Sequence, residues 1–255
     1  MSEHTDWFAR LAMALAFLCG AGSLILFTIW VLCWSSPSVV HARWSEAAIL
    51  GWDALLSLAF FIQHSTMVRR QFRDRVAGVI PPHYQAATYS IASGVILAGV
   101  IVLWQYSGTC LLALDGLALW LARACSLLAL AAFPWAVSAL RSFDPFGLAP
   151  IKAHQRGRLE LPPRFAASGP YRWVRHPLYF CFLVLIWAGP RLTSDRLLFN
   201  VLWTAWICIG AMLEEGSLSA QFGDAYREYR RRVPMLIPWR WPAWRPTVTA
   251  QGPRR

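Results

Sequence analysis

Two short polar segments of this chain bracket an apolar hairpin and carry the groups that can do chemistry. The first runs Gly169-Pro170-Tyr171-Arg172-Trp173-Val174-Arg175-His176-Pro177-Leu178-Tyr179. The second opens with Glu214-Glu215 and continues to Phe222-Gly223, Tyr226 and Tyr229. Together they bring a guanidinium, an imidazole, a phenol and two carboxylates to one end of two apolar arms. A guanidinium grips a carboxylate through two parallel N–H bonds, and an imidazole changes its charge near neutral pH. Polar groups at membrane depth are costly and persist where something uses them. A single Arg or Glu there reads as a structural juxtamembrane ion pair. The ordered set at both ends of the hairpin reads as an enzyme's site. A transporter or an assembly factor, the non-catalytic alternatives, gives no reason for paired carboxylates opposite Arg-His-Pro.

The arms that position this set are membrane spans. The 255 residues are 57% hydrophobic, include 15 Trp, and are only 15% charged. A soluble domain of this length rarely carries so much apolar surface. Six segments qualify: Leu11 to Trp34, Ala47 to Gln63, Thr88 to Tyr106, Leu117 to Leu140, Leu178 to Gly189 and Leu197 to Leu213. The expected fold is therefore all-α, a polytopic membrane protein of about six transmembrane helices. The fifth segment is too short to cross a core of about 30 Å with margin, so it is expected to lie against the sixth. At 1.5 Å per residue the two arms reach comparable heights, roughly 20–25 Å, which returns Glu214 and Glu215 to the level of His176. Pro177 suits the first turn of the fifth helix, where its missing N–H costs nothing.

The formal charge of +11 is almost all Arg, Lys152 being the one lysine. Four Lys or Arg fall between Met67 and Gln85, seven between Arg141 and Arg175, and eight after Glu215, while Ser107 to Gly116 has none. This is the positive-inside pattern, and it places both termini and the two large basic loops in the cytoplasm of an inner-membrane protein. The same distribution argues against nucleic acid as partner, since no binding module interrupts the spans. The first span reads as retained rather than as a cleavable signal. Residues 1–238 form one membrane domain, and 239–255, with Trp239, Trp241 and Trp244 among arginines, read as an interfacial or disordered tail.

The six cysteines lie in or beside apolar spans, without CxxC or Cys/His spacing, so no disulfide frame and no metal is expected. Asp53 and Arg123 each lie six residues inside the far end of a span. Equal depth and opposite sign predict a structural ion pair between them. His64 ends the second span beside Gln63, ahead of Arg69-Arg70, and is either an interfacial hydrogen-bonder or a catalyst. His83 and His154 read as loop residues.

Gly169 to Pro238 resembles the isoprenylcysteine carboxyl methyltransferase and phospholipid methyltransferase superfamily. The residues that carry the resemblance are Arg175-His176-Pro177-Leu178-Tyr179, Glu214-Glu215, Phe222-Gly223, Tyr226, Tyr229, Val233-Pro234 and Pro238. One departure is Cys181, where many members have Gly. Upstream, Phe60-Phe61-Ile62-Gln63-His64-Ser65-Thr66-Met67-Val68-Arg69, Ile80-Pro81-Pro82 with Thr88-Tyr89, and Phe143-Asp144-Pro145-Phe146-Gly147-Leu148 are similar to NnrU-like proteins, a branch that includes bacterial methanethiol S-methyltransferases. Ser142-Phe143 stands where that branch often has Asn-His.

The resemblance implies S-adenosylmethionine as cofactor, held at the cytoplasmic end by Tyr171, Arg175, His176, Pro177, Tyr179, Glu214, Glu215 and Tyr226. It implies His64, Arg175 and Tyr179 as catalytic residues, and His64, Phe143 and Phe146 against the methyl acceptor. Methyl transfer from a sulfonium is an in-line displacement, in which the protein mainly orients donor and acceptor. The acceptor it favours is a small apolar thiol, reaching the site from the lipid or a side opening. The alternative on the same scaffold is a lipid or prenyl-cysteine carboxyl methyltransferase.

Overall fold

The computed structural model describes residues 3–34, 44–140, 144–158 and 165–240. The order is α1 (Glu3–Cys33), α2 (Glu46–Met67), α3 (Arg70–Val76), α4 (Pro82–Leu103), β1 (Cys110–Ala113) and α5 (Gly116–Ala139). It continues through α6 (Leu148–Gln155), a 3-10 turn (Gly169–Arg172), α7 (Pro177–Trp187), β2 (Arg191–Thr193), α8 (Ser194–Phe222) and α9 (Asp224–Arg232). The fold is all-α and polytopic. Five helices, α1, α2, α4, α5 and α8, are long and apolar enough to cross a membrane.

The sixth expected span is α7, and it is only 11 residues long. At 1.5 Å per residue that is about 16 Å, half of a hydrocarbon core. The hairpin arms are thus unequal as helices. Extended chain after α7 makes up the difference, because a strand rises more than twice as far per residue. Within it β2 pairs antiparallel with β1, Cys110 opposite Thr193 and Ala113 opposite Arg191. This small ladder at the far end of the bundle had no alternating pattern to announce it. The α7 helix touches α8 but packs chiefly against α5.

The tightest helix pair is α1 with α4, and small residues make it so. Gly94 lies against the Cys19 backbone, where a Cβ would collide. Ser90 donates its hydroxyl to Ala16 O at 3.2 Å, and Ala16 and Ala87 are buried between the helices. With lipid as solvent there is no hydrophobic drive between helices, so close backbone approach and interhelical hydrogen bonds hold them. Gly147 adopts a left-handed conformation, φ 68°, and a side chain there would meet the backbone of Ala86 and Ala87. Asp144 accepts from Ala149 N–H at 2.6 Å and starts α6. The Asp144-Pro145-Phe146-Gly147 motif therefore docks α6 onto α4. In the middle of the bundle Phe27, Trp30, Trp104, Phe199 and Trp203 form an aromatic core.

The predicted Asp53–Arg123 pair does not form. Asp53 is fully buried and accepts from the Gln105 backbone N–H at 3.0 Å. Arg123 is exposed and lies over the ring of Trp120 on its own helix, 5.3 Å from the centroid. The α2 helix packs on α4 and α8, whereas α5 packs on α7 and the 3-10 turn. Equal depth set no lateral neighbour. The buried guanidinium near the Asp53 end is Arg196, over the Trp34 ring at 4.5 Å and donating to Val31 O at 3.1 Å. Asp195 beside it accepts from Trp104 Nε1 at 3.2 Å. His83 and His154, expected in loops, lie on α4 and α6 with their rings stacked 3.8 Å apart.

Asp53→Ala should cost about 1–3 kcal/mol, because it leaves the buried Gln105 N–H without an acceptor. Arg123→Ala should cost less than about 1 kcal/mol, the range of an exposed cation–π contact. Thermal denaturation in detergent measures both. A double variant exchanging the charges at 53 and 123 should regain none of the loss, and recovery of folded yield would reinstate the pair.

Candidate active site

The site is assembled where the α7 start, the α8 end and the chain after α9 meet. Pro177 occupies the first helical position of α7 with His176 as its N-cap. Gly223 at φ 57° ends α8 and turns the chain into α9. One face of α9 buries Tyr226 and Tyr229 beside Phe165, Ala167 and Val233, while Arg227, Arg231 and Arg232 face outward. The Tyr229 hydroxyl donates to Tyr171 O at 2.5 Å. Beyond α9 the chain runs alongside the Arg-His-Pro segment: Arg175 N–H donates to Pro234 O at 2.9 Å and His176 N–H to Met235 O at 3.1 Å. Val233-Pro234 thus straps the site from below.

The two glutamates have different surroundings. Glu215 is buried, with Arg175 Nε at 2.5 Å on Oε1 and Arg230 Nε at 3.1 Å on Oε2. Arg175 also donates through Nη1 to Arg230 O at 2.7 Å and to Val233 O. Three of the five guanidinium donors are therefore spent on the protein. Glu214 is half exposed and accepts from the Tyr179 hydroxyl at 2.8 Å. His176 lies between them, Nδ1 3.7 Å from Glu214 Oε2 and Nε2 3.4 Å from Glu215 Oε1. The second approach lacks hydrogen-bond alignment, so Nε2 is buried without a bonded partner. The ring stacks parallel on Tyr179, centroids 5.2 Å apart.

His64 approaches from the other side of the bundle. Its ring sits among Phe60, Tyr89 and Trp206, and its Nε2 lies 2.7 Å from the Tyr89 hydroxyl. The structure therefore gathers Tyr171, Arg175, His176, Pro177, Tyr179, Glu214, Glu215 and Tyr226, and sets His64 apart from them against Tyr89. Phe146 goes elsewhere: it packs edge-on against Phe17, in the notch between Gly20 and Ser90. Phe143 lies outside the described residues. Sequence reasoning missed Arg230, which looked like one more positive-inside charge, and Tyr89, quoted within a motif but given no role.

Burial is the largest influence on the ionisable groups outside the spans. It pushes the His176 imidazole below its ordinary range, while Glu214 and Glu215 pull it partly back up and Arg175 pushes it down. Burial raises the Tyr226 phenol to about 12 and the Tyr171 and Tyr229 phenols above their ordinary value. The phenols stay protonated donors at neutral pH. A histidine depressed on folding binds its proton more readily when unfolded, so its stabilisation is full above about pH 6.5 and is lost as pH falls. Melting temperature should therefore decline between pH 7 and 5, and His176→Gln should flatten that decline. An unchanged slope would mean that His176 titrates alike in the folded and unfolded protein.

No family model matches the chain, and no solved structure matches it. Curated proteins do. Methanethiol S-methyltransferase 1 of Bradyrhizobium diazoefficiens is 30% identical over 248 residues, covering 91% of this chain and 85% of that protein. The methanethiol S-methyltransferase of Pseudomonas sp. strain GM41(2012) is 36% identical over 214 residues, covering 81% and 78%. Nurim of Rattus norvegicus is 27% identical over 192 residues, covering 68% and 70%. With this identity over most of both lengths, the chain belongs to the methanethiol S-methyltransferase family.

Proposed function

We propose that the protein transfers the methyl group of S-adenosylmethionine to a small thiol at the cytoplasmic face of an inner membrane. The orientation follows from the positive charges gathered at the site end of the bundle. The observation that carries the reading is the division of labour between the glutamates. Glu215 is occupied by Arg175 and Arg230, whereas Glu214 keeps a half-exposed carboxylate beside Tyr179 and His176. A ligand with hydroxyl or amino donors fits Glu214, and a carboxylate fits the Nη2 donors of Arg175 that Glu215 leaves over. The phenol faces of Tyr171 and Tyr179 suit a sulfonium, which a ring quadrupole attracts. These donors match S-adenosylmethionine.

When bound, that cofactor supplies an activated methyl group on a positively charged sulfur. The chain's own residues then orient and shield. Tyr179 holds Glu214 in place by its hydrogen bond and keeps the His176 ring stacked. Arg175, locked to Glu215 and to the carbonyls of Arg230 and Val233, ties the end of α9 to the binding face and holds its Nη2 toward the cofactor carboxylate. His64 and Tyr89 approach from the opposite wall and fall to the acceptor. Phe60 and Trp206 give that wall the apolar surface a small thiol would meet. Phe146, by its place between α1 and α4, would shape the acceptor end through packing.

The glutamates should separate by experiment. Glu214→Gln should weaken S-adenosylmethionine binding tenfold or more, with the melting temperature close to wild type. Glu215→Gln should instead destabilise by about 3–5 kcal/mol, the usual penalty for stranding a buried charge. Calorimetry and thermal unfolding measure the two effects. Wild-type affinity in Glu214→Gln would remove the cofactor from this end of α8.

The acceptor is tested with labelled S-adenosylmethionine and a panel of methanethiol, longer thiols, a prenyl-cysteine and phosphatidylethanolamine. Label should enter the small thiols first. Transfer to the prenyl-cysteine or lipid alone would refute the thiol and keep the methyl transfer.

A further inference from the structure

The chain between α2 and α4 presents a charged surface that the bundle does not use. Residues 68–81 leave the end of one helix long enough to span, Glu46–Met67, and return to the start of another, Pro82–Leu103. Trp203 donates to Ser57 and Trp206 to Ser65, so α2 and α8 run in the same direction. The connection therefore emerges on the Glu214 side of the membrane. Gln85 on α4 ties it down, donating through Nε2 to Arg73 O at 3.0 Å and to Ile80 O at 3.3 Å. Held at both ends and in the middle, the segment lies at headgroup level.

Within it, α3 has no buried residue, and it packs on the end of α2 and on no other helix to any extent. At about 100° per residue, Phe72 and Val76 form one strip of α3, with Arg73 and Arg75 about 80° to either side of it and Asp74 about 180° away. The strip is partly covered, whereas both flanking arginines are exposed. Val68 and Val79, just outside the two ends of α3, are 56% and 86% exposed. Apolar side chains flanked by arginines, with the acid on the far side, suit a helix lying in a membrane interface.

Charge indicates what lies against it. Arg69, Arg70, Arg73 and Arg75 have one acidic neighbour on the helix, Asp74, 3.7 Å from Arg70. Among the described residues the other three arginines have no ion pair. On α9, by contrast, Arg227 pairs with Asp224 at 2.7 Å and Arg232 with Glu228 at 2.5 Å. Uncompensated positive charge is thus gathered at α3. A guanidinium takes two phosphate oxygens at once, and a lipid with net negative charge carries no ammonium of its own to offset that attraction.

We propose that α3 and the turn after it form a docking surface for anionic phospholipid headgroups, with Arg73 and Arg75 on the phosphates and Val68 and Val79 at the acyl boundary. The inference depends on the membrane-spanning fold and not on the methyl acceptor. Full-length protein in neutral detergent is titrated with fluorescent phosphatidylglycerol and with phosphatidylcholine of the same chains. Phosphatidylglycerol should bind about tenfold more tightly, and added salt should shrink the preference. Arg73→Gln and Arg75→Gln should each weaken its binding about fivefold, the scale of one arginine at an anionic surface. Arg227→Gln, whose charge Asp224 already offsets, should change it less than about twofold. In vesicles, hydrogen exchange of residues 69–80 should slow when phosphatidylglycerol is added, and not in the Arg73→Gln/Arg75→Gln double variant. Equal affinity for the two lipids, or wild-type affinity in a double variant of wild-type melting temperature, overturns the proposal. So does displacement of the lipid by glycerol phosphate or by an oligonucleotide, either of which would make this a site for a soluble anion.

Discussion

The buried Glu215 carboxylate is the interaction on which the site depends. Its two oxygens take Arg175 from the segment before α7 and Arg230 from α9. Removing either partner would leave charge in a place where water cannot compensate, and such losses are severe. Through Arg175 the same carboxylate reaches the carbonyls of Arg230 and Val233, so three stretches far apart in sequence are held at one point. The strap at Pro234 and Met235 then follows, since the Arg175 and His176 backbones find their acceptors on it. Glu214 is left for other work because its neighbour has taken the arginines.

A second constraint comes from the solvent. Lipid gives apolar side chains no reason to leave it, and α5 keeps Leu117, Trp120, Leu127 and Leu128 exposed. Adhesion comes instead from small residues and polar contacts, as where α1 meets α4 at Gly94 and Ser90. That close pair sets α4 in place, and with it Tyr89 opposite His64. At the far end, Asp53, Asp195 and Arg196 serve the same adhesive purpose, the first two bonded to Gln105 and Trp104 just past α4 and the third to Val31 on α1. The polar groups of this protein thus divide by end, structural ties at one and the proposed ligand-binding set at the other.

Much of this could be read from residue order alone. Apolar length and the scarcity of charge determined an all-helical membrane protein, because every backbone group in lipid must be bonded within its own segment. The length of the hairpin arms suggested that Glu214 returns to the level of His176, although extended chain rather than helix supplies part of the shorter arm, and Pro177 marked where α7 begins. Those are local or one-dimensional facts, and translation along a helix axis preserves them.

Lateral arrangement was left to the tertiary structure. Depth suggested Asp53 with Arg123, yet the two helices pack on different neighbours, and Asp53 found a backbone N–H instead. The division between Glu214 and Glu215 was equally hidden, because adjacent residues of one type face directions 100° apart on a helix. Phe146 looked like a pocket residue until Gly20 made room for it against α1. Tyr89 gained a role only when His64 came within 2.7 Å of it. Sequence determined which groups share an end of the membrane. Which of them touch was decided by helix packing, since the rotation and neighbours of each helix depend on all the others at once.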